Sequence, residues 1–260
     1  MNKCIDKKNP KIKYSTNSKS LSNRLDVNKK FSKNDLNSWI FSQLKVKPTD
    51  TILDLCSGTG NQAFILAKKA KKGTVYALDL SKKSLDQIDK KRVKNIKTKK
   101  FNLDNISKLP FKDNSFDIIH CSYGLYYASD ATRVIQKMYQ ILKPGGIFMV
   151  VGPTDDNNKQ LFDLIEMAYK IDKRIIYTSR DFMPKLVLPK TKKLFRSVKQ
   201  KYFKNTIIYP DTETLYRYIS SSTMFKKKHD KKLKENIDKY FIKNNQFKIS
   251  KKAMSLICTK

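Results

Sequence analysis

A glycine-rich turn and a distant acid are the residues of this chain whose types and spacing point to chemistry. Residues 51–60 read Thr-Ile-Leu-Asp-Leu-Cys-Ser-Gly-Thr-Gly, an apolar run that enters a turn containing Gly58 and Gly60. Because glycine has no Cβ atom, such a turn lets a ligand approach the main chain at the start of a following helix. Asp79 ends a second apolar run, where a carboxylate can accept hydrogen bonds from both hydroxyl groups of a ribose. The pattern predicts a nucleoside-binding crevice.

Alternating strands and helices would bring these residues together. Residues 116–121 and 146–151 are short apolar runs bounded by turn residues, which is typical of buried parallel strands. Between them, residues 131–142 carry apolar side chains at helical spacing. This alternation predicts right-handed crossovers and a doubly wound sheet with its ligand at the carboxyl edge of the strands.

Four segments extend the pattern along the chain. They are the turn ending at Gly60, the acidic segment 75–81, residues 109–117 and residues 142–150. The turn lacks the third glycine of the dinucleotide fingerprint, which disfavours NAD. In this order the segments resemble the class I S-adenosylmethionine-dependent methyltransferases, and most closely their small-molecule branch, which includes the quinone-ring methyltransferases.

The resemblance implies an α/β, Rossmann-like, doubly wound and mostly parallel sheet of about seven strands. Residues 247–250 and 253–259 would form the C-terminal antiparallel hairpin of that sheet. Residues 1–31 are expected to be a partly mobile N-terminal arm, part of which folds over the cofactor. Residues 32–260 would be the methyltransferase domain, with residues 154–228 as a helical cap that binds the substrate.

Further helices are predicted outside the motifs. Ser32 or Asn34 is expected to cap the first of them. They cover residues 35–44, 159–171, 211–220 and 231–244.

The resemblance also assigns cofactor contacts. The methionyl end would be held by Asp54 and the main chain of Cys56, Ser57, Gly58 and Gly60, the ribose by Asp79, and the adenine by Leu80, Asn102, Leu103 and Asp104. The usual acid of the family aligns with either Asn102 or Asp104. Cys121, at the end of a strand, would border the methyl group.

No catalytic residue can be named, because the cofactor already makes its methyl group electrophilic. Ser122, Tyr123 and Tyr126 are the candidates for the acceptor pocket. Two interpretations of the tyrosines stay open: they line the pocket as aromatic faces and hydrogen-bond donors, or they cover the sheet edge. His120 is interpreted as a core residue rather than a base.

The residues at the end of the fourth strand narrow the choice of acceptor. The Asn/Asp-Pro-Pro-aromatic turn of many base-amine methyltransferases is replaced by Cys121-Ser122-Tyr123, and Cys121 follows His120 rather than the proline usual beside a nucleophilic cysteine. The expected reaction is therefore methyl transfer from S-adenosylmethionine to an O, N or C atom of a small molecule or glycan precursor, which can be anionic. The alternatives are an RNA methyltransferase and a non-catalytic cofactor-binding protein.

The formal net charge is +33, and only seven of the 56 basic residues are arginine. Arginine binds phosphate in a bidentate manner, so its scarcity favours solvated lysine surfaces over a nucleic-acid surface. The segment 183–210 contains no acid and eight basic residues, and it is predicted to form an amphipathic helix with its basic side outward. An anionic substrate or an RNA would bind there.

The remaining composition argues against a metal site and a membrane span. The four cysteines, Cys4, Cys56, Cys121 and Cys258, lack metal-ligand spacing and are expected to be reduced thiols. No apolar run is long enough for a signal sequence or a bilayer span. A cytoplasmic location is expected, and the oligomeric state is not predicted.

Overall fold

The fold is built around one mixed sheet. The computed structural model describes residues 18–260. Its strands are β1 Thr51–Leu55, β2 Thr74–Asp79, β3 Ile96–Lys100, β4 Phe116–Ser122, β5 Leu142–Pro153, β6 Ser197–Tyr209 and β7 Phe247–Thr259. Within the described residues these seven strands form a single sheet in the order β3-β2-β1-β4-β5-β7-β6. Strands β1 to β5 are parallel, and β7 runs antiparallel to β5 and β6. The predicted Rossmann-like α/β fold is confirmed.

Helices connect the strands. They are α1 Ser18–Phe31, α2 Leu36–Phe41, α3 Asn61–Lys69, α4 Lys82–Asp89, α5 Ala131–Ile141, α6 Lys159–Glu166, α7 Lys173–Arg180, α8 Leu188–Leu194, α9 Thr212–Ser220 and α10 Asp230–Lys243. Short 3-10 turns cover Leu103–Lys108, Leu125–Tyr127 and Lys227–His229, and a π-turn covers Phe182–Val187. None of the helices within residues 18–260 combines the length and apolarity needed to cross a bilayer.

Both faces of the central strands are buried. Ile52 of β1 belongs to an apolar cluster with Leu66 of α3 on one face, whereas Leu53 belongs to a cluster with Val134 and Met138 of α5 on the other. These side chains are fully buried. Burial on both faces explains why the central strands are almost continuously apolar in sequence.

A further cluster forms mainly from the chain that follows β5, together with Val27 of α1. It contains Leu161 and Ile165 of α6, Leu215 of α9, Ile237 of α10 and Tyr209 of β6. The assignment of residues 154–228 to a cap stays a prediction, and β6, within that range, is part of the main sheet. Of the predicted N-terminal arm, residues 18–31 form α1, while residues 1–17, with Cys4, lie outside the described residues.

The prediction of one amphipathic helix over residues 183–210 was wrong. Only α8 is an α-helix there, and β6 follows it as the edge strand. Phe203, Asn205, Ile207 and Tyr209 are buried at every second position, which is the period of a strand. The error arose because residues four apart lie on one face of a strand as well as on one face of a helix.

The predicted C-terminal hairpin also needs correction. Residues 247–259 form the single strand β7, and its antiparallel partner is β6. Lys251 and Lys252 are not in a turn, because they pair with Asn205 and Lys204. The segment therefore pairs with the long strand β6, and the local turn predicted at the two lysines does not form.

The capping prediction for α2 was wrong, because both predicted caps form hydrogen bonds with a distant strand instead. Asp35 is the cap, and its Oδ2 accepts a hydrogen bond of 2.6 Å from the amide of Ser38. Asn205 on β6 engages both predicted caps, donating to Ser32 Oγ at 2.8 Å and accepting from the Asn34 amide at 3.1 Å.

Candidate functional site

The glycine-rich turn after β1 is held against the end of β2. The amide of Ser57 donates to the Leu78 carbonyl at 2.9 Å, and the amide of Gly58 donates to Asp79 Oδ2 at 2.8 Å. Gly58 and Gly60 have φ values of 54° and 89°, in the left-handed region that favours glycine. The structure therefore brings together the turn and the acid that are 21 residues apart in the sequence.

Asp79 is anchored by the main chain on both oxygens. Besides the Gly58 bond, Asp79 Oδ1 accepts from the Ser81 amide at 2.8 Å. Burial raises the pKa of Asp79 above its ordinary value, while these amide hydrogen bonds oppose the shift. A carboxylate oxygen has two lone pairs, so each oxygen retains an acceptor position for a ligand hydroxyl.

A cavity of about 1030 Å³ opens beside this turn. Ten of the sequence-predicted site residues lie on its wall: Cys56, Ser57, Gly58, Asp79, Leu80, Asn102, Leu103, Ser122, Tyr123 and Tyr126. The wall continues past β4 to Phe162, Ile175 and Tyr218. Ligand pockets usually have volumes of about 300–1,000 Å³, so this cavity is large enough to hold two small molecules side by side.

Asp54 and Gly60 lie behind the cavity wall. Asp54 is buried, and its Oδ1 lies 2.8 Å from His120 Nδ1. The two residues face each other on β1 and β4, so His120 belongs to the sheet core. Gly60 caps α3 without room for a side chain, because a Cβ atom there would lie 2.6 Å from Ile88 Cγ1. The contact of Asp54 with a methionyl group stays a prediction.

Asn102 and Asp104 differ in their placement relative to the cavity. Asn102 lies on the wall and accepts the Asp104 amide at 3.0 Å through its Oδ1. Asp104 is exposed, and its Oδ1 instead accepts the amide of Ser129 at 2.8 Å. A contact of Asn102 with an adenine stays a prediction.

Cys56 and Cys121 meet below the turn. The pKa of the Cys56 thiol is raised well above its ordinary value, first by its hydrogen bond with Cys121 and then by burial. Cys121 is fully buried and lies away from the wall. The Cys56 sulfur is therefore kept as a thiol, which is a poor nucleophile.

Three tyrosines that follow β4 line the cavity with protonated hydroxyl groups. Tyr126 and Tyr127 have ring centroids 4.8 Å apart, and both line the cavity with Tyr123. Burial raises the pKa of all three phenols. Their hydroxyl groups therefore stay protonated at neutral pH and can donate hydrogen bonds. This geometry favours the pocket interpretation over simple coverage of the sheet.

Several wall residues come from segments that the motifs do not cover. Arg24 of α1, Tyr218 of α9 and Lys251 of β7 reach the cavity from opposite ends of the chain. No local pattern could have identified them, since each depends on long-range packing. Gln62, which lies 3.3 Å from Ser122 Oγ, immediately follows the glycine turn and could have been found by that proximity.

Comparison with known proteins agrees with this geometry. Residues 26–237 match the model of the ubiE/COQ5 methyltransferase family. The chain belongs to that family. A demethylmenaquinone methyltransferase of Lactobacillus johnsonii is 40% identical over 116 residues, which cover 42% of this chain and 48% of that protein. The ubiquinone/menaquinone biosynthesis C-methyltransferase UbiE of Hydrogenovibrio crunogenus is 29% identical over 177 residues, covering 65% and 63%.

Solved structures share the fold of this ubiE/COQ5 family member. The YcgJ protein of Bacillus subtilis has a TM-score of 0.62 at 16% identity, covering 86% of this chain and 97% of that one. A Haemonchus contortus phosphoethanolamine N-methyltransferase in complex with S-adenosyl-L-methionine has a TM-score of 0.55 at 16% identity, covering 85% and 51%. The matches to the two curated relatives cover about half to two thirds of the length of those proteins. The structural matches cover most of this chain.

Proposed function

We propose that this protein transfers a methyl group from S-adenosylmethionine to an oxygen, nitrogen or carbon atom of a small molecule. The observation that carries the proposal is the hydrogen bond from the Gly58 amide to the Asp79 carboxylate at the cavity wall. That bond joins the two halves of a nucleoside-binding crevice. Membership of the ubiE/COQ5 family supports the same reaction.

The wall residues fit an adenosyl sulfonium. Asp79 retains acceptor positions for two ribose hydroxyls, and Leu80 and Leu103 offer apolar surface beside Asn102 for an adenine. The left-handed backbone at Gly58 leaves main-chain groups open to the methionyl end. When bound, the sulfonium supplies the electrophilic methyl group.

The chain itself has to orient the acceptor and exclude water. Ser122 and Tyr123 lie at the carboxyl end of β4, beside the glycine turn, and Gln62 contacts Ser122 Oγ. The protonated phenol of Tyr123 can hold an acceptor oxygen by donating to it. In-line alignment of the acceptor is the main task of these residues.

A ring-bearing acceptor of the quinone type is favoured over a glycan precursor. The curated relatives are named for quinones. The far wall of the cavity carries Phe162, Ile175, Met224 and Ile207, and burial against such side chains stabilises an apolar ring. Because the acceptor half continues past β4, the cavity also favours an enzyme over a non-catalytic cofactor-binding protein.

An RNA methyltransferase is less well supported. All eight basic side chains of residues 183–210 are exposed, but they lie on α8, β6 and the adjoining turns rather than on one helix face. Steeply salt-dependent RNA binding would favour that alternative.

The test begins with the predicted ribose contact. We expect Asp79→Ala to weaken S-adenosylhomocysteine binding by about tenfold or more in calorimetry, because a charged hydrogen-bond acceptor is lost. Asp86→Ala, which removes an exposed carboxylate of α4 that pairs with Lys82, should leave affinity unchanged. Wild-type affinity in the Asp79 variant would contradict the assignment. Transfer of labelled methyl into fractionated metabolite and RNA pools then identifies the acceptor class.

A further inference from the structure

The cavity wall carries three carboxylates, Asp26, Asp35 and Asp79, and one more basic side chain than that. Four basic side chains lie on its wall: Arg24, Lys33, Lys251 and Lys252. Lys252 forms an ion pair with Asp156, and Lys33 is exposed to solvent. Among residues 18–260, no carboxylate forms an ion pair with Arg24 or Lys251.

Lys251 is held by a phenol instead. Its Nζ donates to the Tyr218 hydroxyl at 2.6 Å and lies 4.9 Å from the centre of the Tyr218 ring. Tyr218 is buried and packs on Tyr209 with ring centroids 5.4 Å apart. An ammonium group has three donors, and a phenol that accepts a hydrogen bond can still donate its own proton. The pair therefore presents several donors and one positive charge to the cavity.

The pair lies on the acceptor side of the sheet. Strand β7, which carries Lys251, is four strand positions from β2, which carries Asp79. At about 4.8 Å per strand the two backbones are about 19 Å apart. Tyr218 and Lys251 line the same cavity as Tyr123, the residue that follows β4. Lys251 is thus far from the ribose contact and close to the predicted acceptor pocket.

We infer that Lys251 and Tyr218 form an oxyanion subsite that binds an ionised carboxylate or phenolate oxygen of the acceptor. The inference rests on the proposed function and narrows its substrate to a ring compound that carries a negative oxygen. A cation on a partly apolar wall attracts such a group more strongly than it would in water, and charge-assisted hydrogen bonds are about twice as strong as neutral ones. The neighbouring apolar wall would cover the ring.

The experiment compares two probes that differ in charge. Binding of 1-hydroxy-2-naphthoate and of 1-naphthol is measured by calorimetry with excess S-adenosylhomocysteine. We expect the wild-type protein to bind the carboxylate about tenfold or more tightly than the neutral ring. Lys251→Met should remove that preference and change naphthol binding by less than about twofold, while Lys251→Arg should retain most of it. Tyr218→Phe should lose part of it.

Lys248→Met is the matched control, because Lys248 is an exposed lysine of the same strand. It should keep the wild-type preference. Equal affinity of the wild-type protein for both probes, failure of the carboxylate probe to bind, or equal losses for both probes in Lys251→Met would overturn the inference. So would a loss of S-adenosylhomocysteine affinity in Lys251→Met, since the lysine would then hold the carboxylate of the cofactor.

The comparison is repeated without S-adenosylhomocysteine. If the wild-type protein does not bind that compound, the proposed function fails, while the probe comparison still decides whether an oxyanion subsite exists. If it binds and the charge preference is absent, only the subsite fails.

Discussion

Gly124 shows how a single residue controls the turn that the proposed cofactor would contact. It follows β4 and lies directly against Cys56. A Cβ atom at position 124 would lie 2.3 Å from Cys56 Cβ and 2.6 Å from its Sγ. The backbone of Gly124 has a φ of −122°, so the requirement for glycine here comes from packing rather than from backbone strain.

We therefore expect Gly124→Ala to displace the turn. S-adenosylhomocysteine affinity should fall by about tenfold or more, because Gly58 would move away from Asp79. Calorimetry measures the affinity, and circular dichroism checks that the variant is folded. In the double variant Gly124→Ala/Cys56→Gly both clashing atoms are gone, and glycine tolerates the φ of 59° at position 56. Affinity should recover there; the explanation fails if it does not.

At the scale of elements, β1 and β4 are joined by more than their backbone ladder. Asp54 and His120 occupy paired positions on the two strands, and their side chains form a buried contact of 2.8 Å. Since a buried polar group without a partner is costly, this pair couples the strand that enters the glycine turn to the strand that leads to the acceptor tyrosines. Its role is to position these two strands.

His120→Leu should destabilise the protein by about 1–3 kcal/mol, because it leaves the Asp54 carboxylate buried without its partner. Urea unfolding measures the free energy of unfolding. The double variant Asp54→Leu/His120→Leu should regain part of the loss, since neither polar group is then buried. A single variant as stable as the wild type would show that the contact does not couple the strands.

At the edge of the sheet, strand pairing outweighs the helical spacing of apolar residues in the sequence. Strands β6 and β7 pair over 13 positions, from Ser197 with Thr259 to Tyr209 with Phe247. This pairing brings Asn205 to the linker between α1 and α2 and Lys251 to the cavity. The cavity wall therefore takes residues from β6 and β7 as well as from the helices.

At the scale of the whole molecule, the net charge of +33 dominates the electrostatics. Like charges on a compact surface repel one another and destabilise the folded state. The Debye length falls from about 30 Å at 0.01 M salt to about 8 Å at 0.15 M, so added salt screens this repulsion.

The thermal unfolding midpoint should therefore rise by several degrees when NaCl is raised from about 0.01 M to about 0.15 M. Differential scanning calorimetry measures the midpoint. Replacing Lys190, Lys192 and Lys193 of α8 by glutamate lowers the net charge by six, from +33 to +27, and should reduce the salt response. A midpoint that falls with salt in the wild-type protein would show that attractive ion pairs outweigh the repulsion.

Local signals explain which parts could be predicted from the sequence. Strand β1, the glycine turn and Asp79 are encoded by short apolar runs and by residue types with special backbone freedom, and the structure assembles them as expected. The helix caps of α9 and α2 show where local prediction fails. Asp211 caps α9 through a contact within four residues. Ser32 and Asn34 do not cap α2, because both form hydrogen bonds with Asn205 of the distant strand β6.

The sequence by itself determined the order of strands and helices from β1 to β5, the proximity of Gly58 to Asp79, and membership of a methyltransferase family, because each is encoded in short motifs along the chain. Only the tertiary structure decided that residues 197–209 are a strand, that Asp54 faces His120, and that Lys251 and Tyr218 meet at the cavity. Those outcomes depend on which backbone and side-chain partners are available after folding. Strand pairing and side-chain packing between distant segments, rather than local preference, selected them.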